Sequence, residues 1–198
     1  MQPKEHVVFI YPGLGDGTLL VDFAVRNWHH YGLIPIVKSV GWRNEEPFQH
    51  ILNRLSALVD EQINMGRMVS LIGTSAGGSA ALNVFVENLE GIHRVVTVCS
   101  RLRTGPVVGL RSFEKMTRTS NAFAQSVQLL EYLEPSLLLR ERQQVMTVKA
   151  LLGDEMVPAS TSTLQGARNI SIPTAEHMLS ISAALTVFSG RLIKFLTE

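Results

Sequence analysis

Met68-Val69-Ser70-Leu71-Ile72-Gly73 is a short apolar run that leads directly into Thr74-Ser75-Ala76-Gly77-Gly78. The run is typical of a buried strand, and the residues that follow have a helical pattern. A serine flanked by glycines two positions away on each side, at a strand-to-helix turn, matches the G-x-S-x-G pattern of a nucleophilic serine. We therefore predict that Ser75 is a nucleophile at the carboxyl end of a strand.

The G-x-S-x-G pattern has a second interpretation, a tight turn whose serine only caps the following helix. Glycines at 73 and 77 would remove side chains that collide in a strained turn. Gly78 would let the helix pack closely on the sheet. These glycines, together with a strand before and a helix after, favour the nucleophile.

Apolar runs and helical patterns alternate along the chain. This alternation predicts βαβ units with helices on both faces of the sheet, hence the α/β class. We expect a three-layer α/β/α sandwich around a mostly parallel six-stranded sheet. Predicted strands are 6–11, 33–40, 68–73, 94–99, 144–152 and 169–172, and predicted helices are 18–31, 45–65, 75–89, 121–133 and 178–196. Glycines just past three of these helices, Gly32, Gly66 and Gly91, are predicted to end them.

The length of 198 residues fits one domain spanning 1–198. Within it, 101–143 breaks the alternation and is expected to be either a small lid or an ordinary crossover. A loose arginine cluster begins this segment. A solvated loop is its simplest interpretation, although Arg101, Arg103 and Arg111 could also meet an anionic substrate. The formal net charge of +1 gives no electrostatic reason to expect nucleic acid or an anionic membrane as partner.

The single cysteine, Cys99, lies in an apolar run and is predicted to be a buried core residue. The polar N-terminus shows no secretory signal, and no apolar stretch has the length of a membrane span. We therefore expect a cytoplasmic protein without stable membrane insertion. No pattern predicts a metal or an organic cofactor, and the oligomeric state cannot be read from the sequence.

A nucleophilic serine needs a base, and sites in open parallel sheets form at the carboxyl ends of strands. Of the six histidines, only His177 follows a predicted strand. His6 and His93 precede strands, and the other three fall within helices. His177 is therefore the predicted base.

The acid that orients the base is predicted in the same way. Asp154 follows the strand that comes before the strand leading to His177. The chain order of the predicted catalytic residues is then Ser75, Asp154, His177. Glu155 and Glu176 are alternative acids, of which Glu176 is the weaker because it adjoins His177. A carboxylate that merely caps a loop is the alternative role for Asp154.

Tyr11-Pro12-Gly13-Leu14-Gly15-Asp16-Gly17 follows the first predicted strand. Beside a nucleophilic serine, such a loop supplies one backbone N–H to an oxyanion hole, and the residue after the serine supplies the other. The predicted donors are Leu14 and Ala76, with Gly15 as an alternative to Leu14. Gly13, Gly15 and Thr74 are predicted to contact the substrate.

The same loop could instead cradle a phosphate, as in dinucleotide-binding proteins. Gly13 and Gly15 fit the first two glycines of G-x-G-x-x-G, but the third position is Thr18. The next strand ends in Lys38-Ser39-Val40, without the acidic residue that would hold a ribose hydroxyl. A nucleotide-binding module is therefore disfavoured.

Four segments together resemble the α/β-hydrolase superfamily over nearly the whole chain. They are Tyr11-Pro12-Gly13-Leu14-Gly15, Gly73-Thr74-Ser75-Ala76-Gly77-Gly78, Gly153-Asp154-Glu155-Met156-Val157-Pro158 and Glu176-His177-Met178. The resemblance implies a small, esterase-like member without a large cap. Its six parallel strands would match the family's third to eighth, without the two leading strands. The chain departs from the family at Tyr11-Pro12, where many members have a histidine before the oxyanion glycine.

The resemblance also implies an activity. A serine hydrolase of the carboxylesterase, lipase or thioesterase kind would cleave a small-molecule ester or thioester through an acyl-enzyme on Ser75. No cofactor would be needed. An acyltransferase with the same residues, and a non-catalytic ligand-binding module on the same fold, are the alternatives.

Overall fold

The computed structural model describes residues 4–105, 109 and 112–198, so Arg111 of the arginine cluster lies outside the described part of the chain. Its strands lie within a few residues of the predicted ones. They are β1 (His6–Tyr11), β2 (Leu33–Val37), β3 (Met68–Thr74), β4 (Ile92–Val98), β5 (Val145–Ala150) and β6 (Arg168–Ile172). The α-helices are α1 (Leu19–Val25), α2 (Phe48–Asn64), α3 (Gly77–Glu87), α4 (Phe113–Thr117), α5 (Asn121–Leu133), α6 (Leu139–Arg142), α7 (His177–Leu185) and α8 (Ser189–Thr197).

The six strands form one sheet in the order β2-β1-β3-β4-β5-β6, and every pair in it is parallel. Alternate residues of each strand point to opposite faces of a sheet. In β1, Val7 and Phe9 enter a core covered by α2, α3 and α5, whereas Val8 and Ile10 enter a second core covered by α1, α7 and α8. The predicted three-layer α/β/α architecture is confirmed.

The sheet has a switch point between β1 and β3. After β1 the chain passes to β2 on one side, and β3 then lies on the other side of β1. The loop after β1 leads to α1 on one face, and the turn after β3 leads to α3 on the opposite face. The carboxyl ends of β1 and β3 therefore border a crevice of the kind in which open α/β sheets bind ligands.

Two of the predicted helices have different bounds in the structure. The helix expected over 45–65 begins only at Phe48. The reason is Pro47, because a proline disfavours helical conformation in the residue before it. The helix expected to end near Gly91 ends at Glu87, and Gly91 has no left-handed backbone. Gly91 instead permits close packing, since a Cβ there would lie 2.4 Å from Cδ1 of Ile63.

The predicted helix over 178–196 is two helices, α7 and α8, with a bend of 54° between them. Thr186 leaves the helical conformation at the break, where two β-branched residues, Thr186 and Val187, stand together. Gly32 and Gly66 have left-handed backbones, as expected past a helix end. Among the described residues no single helix has the length and hydropathy to cross a membrane; α7 and α8 meet that test only as a bent pair.

Candidate active site

Ser75 lies in the turn between β3 and α3 with a φ of 53°. Residues other than glycine, asparagine and aspartate rarely adopt this region, and such strain persists only where the surroundings enforce it. The Ser75 amide donates a 2.9 Å hydrogen bond to the carbonyl of Val98, which ties the turn to the end of β4. The side chain of Ser75 does not cap α3, whose N-cap residue is Ala76. The capping interpretation of this serine is therefore wrong.

Three glycines make the sharp turn sterically possible. A Cβ at Gly73 would lie 2.3 Å from the carbonyl oxygen of Gly77, and one at Gly77 would lie 2.0 Å from that of Tyr11. A Cβ at Gly78 would lie 2.1 Å from the Ser100 hydroxyl oxygen, at the end of β4. Each of these distances is far below contact, so the close approaches of backbone at Gly73 and Gly77, and of the Ser100 side chain at Gly78, require glycine.

His177, the first residue of α7, lies beside Ser75. Its Nε2 is 2.8 Å from Ser75 Oγ, and its Nδ1 is 2.8 Å from Asp154 Oδ2. The imidazole is buried, with 1% of the residue exposed. A carboxylate can only accept, so Nδ1 carries the proton and Nε2 is left to accept from the serine hydroxyl. This is the tautomer that a general base requires.

Asp154 is held by backbone amides on its other oxygen. Its Oδ1 accepts hydrogen bonds from the amides of Met156 and Val157, each at 2.8 Å. Burial by itself would raise the pKa of Asp154. The hydrogen bond and charge of His177 and the two amides outweigh burial, so the pKa of Asp154 lies below its usual value. The carboxylate is thus fixed in position and stays ionised.

The two alternative acids have other partners. Glu155 accepts the backbone N–H of His177 at 2.9 Å, and Glu176 accepts the amides of Met178 and Leu179 at the start of α7. Neither carboxylate forms a hydrogen bond with the imidazole ring. The three residues predicted from the chain order are therefore the ones that the fold brings together.

The loop after β1 packs directly against the serine. A Cβ at Gly13 would lie 2.9 Å from Cβ of Ser75. Within the described part of the chain, the amides of the two predicted oxyanion donors, Leu14 and Ala76, donate to no protein group. Both residues line a cleft together with Ser75.

Asp16 anchors this loop, a role that the sequence analysis missed. Its carboxylate accepts the amides of Val40 at 2.8 Å, Gly41 at 3.2 Å and Trp42 at 2.7 Å. Asp16 itself has a φ of 51°, which aspartate tolerates better than most residues. The only sequence signal was an aspartate inside a glycine-rich turn, and its partners lie after the next strand.

Two clefts meet at Ser75. The larger has a volume of about 310 Å³ and is lined by the predicted substrate-contacting residues Gly13, Gly15 and Thr74, together with His177. The smaller, of about 20 Å³, is lined by Ala76 and by side chains that include Phe123. The described residues include no group of three or more histidine, cysteine, aspartate or glutamate side chains placed to hold a metal ion.

Arg101 and Arg103, which begin the segment 101–143, do not lie in a solvated loop as predicted. Arg101 is 2% exposed and donates to the carbonyl of Thr104 at 2.8 Å. Arg103 forms an ion pair with Glu134 and donates to the carbonyl of Thr163. Buried carbonyls of irregular chain need such donors, which explains why these cations turn inward.

No protein-family model matches the chain, and no curated protein matches it in sequence. Many solved structures match its fold. A monoacylglycerol lipase from Paleococcus ferrophilus has a TM-score of 0.69 at 14% identity, over 98% of this chain and 95% of that one. Est1E from Butyrivibrio proteoclasticus has a TM-score of 0.67 at 15% identity, over 96% and 89%.

A third similar structure is MGS-MChE2, an α/β hydrolase from the metagenome of sediments of the Mar Chica lagoon in Morocco. Its TM-score is 0.62 at 16% identity, over 98% of this chain and 91% of that one. The resemblance seen in the four sequence segments thus extends to the arrangement of the whole chain, which has the α/β-hydrolase fold.

Proposed function

We propose that the protein is a serine hydrolase that cleaves a carboxylic ester or thioester through an acyl-enzyme on Ser75. The observation that carries the proposal is the unbroken hydrogen-bonded series from Asp154 through His177 to Ser75, at the meeting point of two clefts. The fold neighbours that are named as a lipase and an α/β hydrolase agree with this chemistry.

Acylation begins when Ser75 Oγ attacks the acyl carbonyl carbon. His177 Nε2 takes the hydroxyl proton, and the carbonyl oxygen becomes an oxyanion held by the amides of Leu14 and Ala76. Asp154 stabilises the imidazolium that forms. The tetrahedral intermediate then collapses as His177 gives the proton to the leaving oxygen or sulfur, and the alcohol or thiol departs.

Deacylation repeats these steps with water as the nucleophile. His177 removes a proton from water as the water oxygen attacks the acyl carbon, and then returns a proton to Ser75 Oγ. The carboxylic acid leaves and the free serine is restored. The fixed Asp154 carboxylate keeps the imidazole in one tautomer through both half-reactions.

The test compares the wild type with Ser75→Ala and with Ser70→Ala, a control that removes a buried serine five positions earlier in the chain. A fluorophosphonate should label the wild type and Ser70→Ala but not Ser75→Ala. The wild type and Ser70→Ala should also hydrolyse members of a panel of p-nitrophenyl esters and acyl thioesters, and Ser75→Ala should not. Equal labelling of all three proteins would end the proposal. Transfer to an added alcohol that outcompetes hydrolysis would identify an acyltransferase instead.

A further inference from the structure

The two clefts at Ser75 border different catalytic groups. His177 lines the larger cleft and does not line the smaller, whereas Ala76, a proposed oxyanion donor, lines the smaller and not the larger. Leu14 and Ser75 line both. The reacting carbon would therefore lie where the clefts meet, with one cleft on the side of the base and one on the opposite side.

The reaction itself assigns a role to each side. In the tetrahedral intermediate the carbon carries Ser75 Oγ, the oxyanion, the leaving oxygen and the acyl substituent. The leaving oxygen must lie within hydrogen-bond reach of His177 Nε2 to receive its proton. The leaving group then extends into the larger cleft, and the acyl substituent is directed towards the smaller one.

The smaller cleft limits the acyl group. Its volume of about 20 Å³ is close to what a single water-sized group occupies. Phe123 is 4% exposed and packs in the core beneath α5, and Arg101 is committed to backbone carbonyls. The walls formed by Phe123 and Arg101 are held by the fold, so the cleft in this conformation has room for a methyl-sized substituent and not for a long chain.

The larger cleft suits an uncharged, apolar leaving group. Its side-chain walls include Leu20, Val21, Met178 and Ile181. Its one lining carboxylate among the described residues, Asp16, already accepts hydrogen bonds from three backbone amides. Leu20 and Met178 are 79% and 56% exposed, so the apolar wall continues outward beyond the cleft.

We propose that the substrate is a short-chain ester, of acetyl size, of a long apolar alcohol. This inference rests on the proposed serine hydrolase function and adds to it which half of the substrate each cleft takes. It disfavours both long-chain fatty acyl esters and thioesters whose leaving group carries several phosphates, since no cation lines the larger cleft among the described residues.

Two isomeric esters test the assignment directly. Octyl acetate and ethyl octanoate have the same atoms and nearly the same hydrophobicity, but carry the long chain on opposite sides of the carbonyl. We expect kcat/KM for octyl acetate to exceed that for ethyl octanoate by more than about tenfold, since a pocket penalises even one excess methylene by that order. A ratio of ten or less, or a reversed preference, would overturn the assignment.

Two substitutions test which cleft binds the alcohol chain of the substrate and which binds its acyl chain. Val21→Trp should narrow the larger cleft and lower the ratio of octyl acetate to ethyl acetate hydrolysis by about tenfold. The same change at Val187, which is 79% exposed and outside both clefts, is the matched control. Met116→Ala should widen the smaller cleft and raise kcat/KM for ethyl butanoate relative to ethyl acetate. An unchanged octyl-to-ethyl ratio in Val21→Trp would overturn the inference.

Fluorophosphonate labelling of the wild type distinguishes a failure of the substrate assignment from a failure of the proposed function. Labelling at Ser75 with a preference for ethyl octanoate would overturn only the assignment of the clefts. An unlabelled wild type that hydrolyses neither isomer would overturn the proposed function, and the substrate assignment with it.

Discussion

Two histidine–serine pairs are found among the described residues, one towards each edge of the sheet. At the carboxyl edge, His177 Nε2 lies 2.8 Å from Ser75 Oγ. Towards the amino edge, His6 Nε2 lies 2.8 Å from Ser70 Oγ, between β1 and β3. The distance and the atoms are the same, so a hydrogen bond between these residue types does not by itself indicate a catalytic site.

The surroundings of the two pairs differ in every other respect. His177 has the Asp154 carboxylate on its second nitrogen, whereas His6 faces the ring of His93, with centroids 5.6 Å apart. Burial, and then the charge of His93, lower the pKa of His6 to about 4. Ser70 lies within a regular strand and is fully buried, while Ser75 lies in a strained turn that faces two clefts. Of the two pairs, only His177 and Ser75 combine a carboxylate on the second ring nitrogen with a serine that lines two clefts.

The largest difference is expected when each histidine is replaced by glutamine. His177→Gln removes the base and should lower kcat by up to about 10⁶-fold, the loss typical for a member of such a catalytic group. His6→Gln retains a group that can bond Ser70 and should leave kcat within about threefold. Ester hydrolysis of the two purified variants, with folding checked by circular dichroism, measures both. A comparable loss in both variants would remove the distinction between the pairs.

Asp154→Asn tests the acid that distinguishes the two pairs. The amide can donate to Nδ1 and so favours the wrong imidazole tautomer, and kcat should fall by about 10⁴-fold. The backbone bonds to Oδ1 can persist, so the melting temperature should change little. Full activity in Asp154→Asn would mean that His177 acts as a base without a carboxylate on Nδ1.

Asp16 is a positioning residue, and its effect should be smaller. Asp16→Ala removes the acceptor for three amides and should lower kcat by about tenfold, which is less than the 10² to 10³ that loss of an oxyanion donor itself costs. Asp16→Asn keeps one acceptor oxygen and tolerates the backbone conformation, so it should recover part of kcat at unchanged KM. Equal kcat in both variants, despite a lowered melting temperature in Asp16→Ala, would assign Asp16 to stability alone.

The pair of His6 and Ser70 should make the free energy of unfolding depend on pH. The pKa of His6 is about 4 in the folded chain against 6.5 ordinarily, so between these values the unfolded chain binds a proton that the folded chain does not. The free energy of unfolding should therefore fall as pH drops from 6.5 towards 4. Asp154, whose pKa lies below 3.8, titrates beneath this window. Denaturant unfolding at several pH values should show a shallower slope in His6→Gln; an identical slope would contradict the assignment.

The sequence was sufficient to predict the carboxyl-edge site because its signals are local. Gly73, Ser75 and Gly77 stand within five residues, and parallel strands bring the segments after β5 and β6 to the same edge. Those two facts were enough to predict Asp154 and His177 as the partners of Ser75. The glycine contacts with Tyr11 and Ser100 then follow from the close packing of α3 on the sheet.

Features that depend on distant packing could not be predicted in this way. The partners of Asp16 lie 24 to 26 residues away, after β2. The inward turn of Arg101 depends on carbonyls that only the folded loop buries. The unequal clefts depend on where α5 places Phe123, and helical periodicity gives the buried face of α5 but not its distance from Ser75.

The most direct test of the central claim is to locate the acyl group. Wild-type protein mixed with p-nitrophenyl acetate and quenched in acid should carry an acetyl group in the tryptic peptide Met68–Arg94, which contains both Ser70 and Ser75. Fragment ions in mass spectrometry should place that group on Ser75, after a burst of p-nitrophenol. An acetyl group on Ser70 or on any other residue, or steady turnover from which no acyl-enzyme can be trapped, would contradict the account.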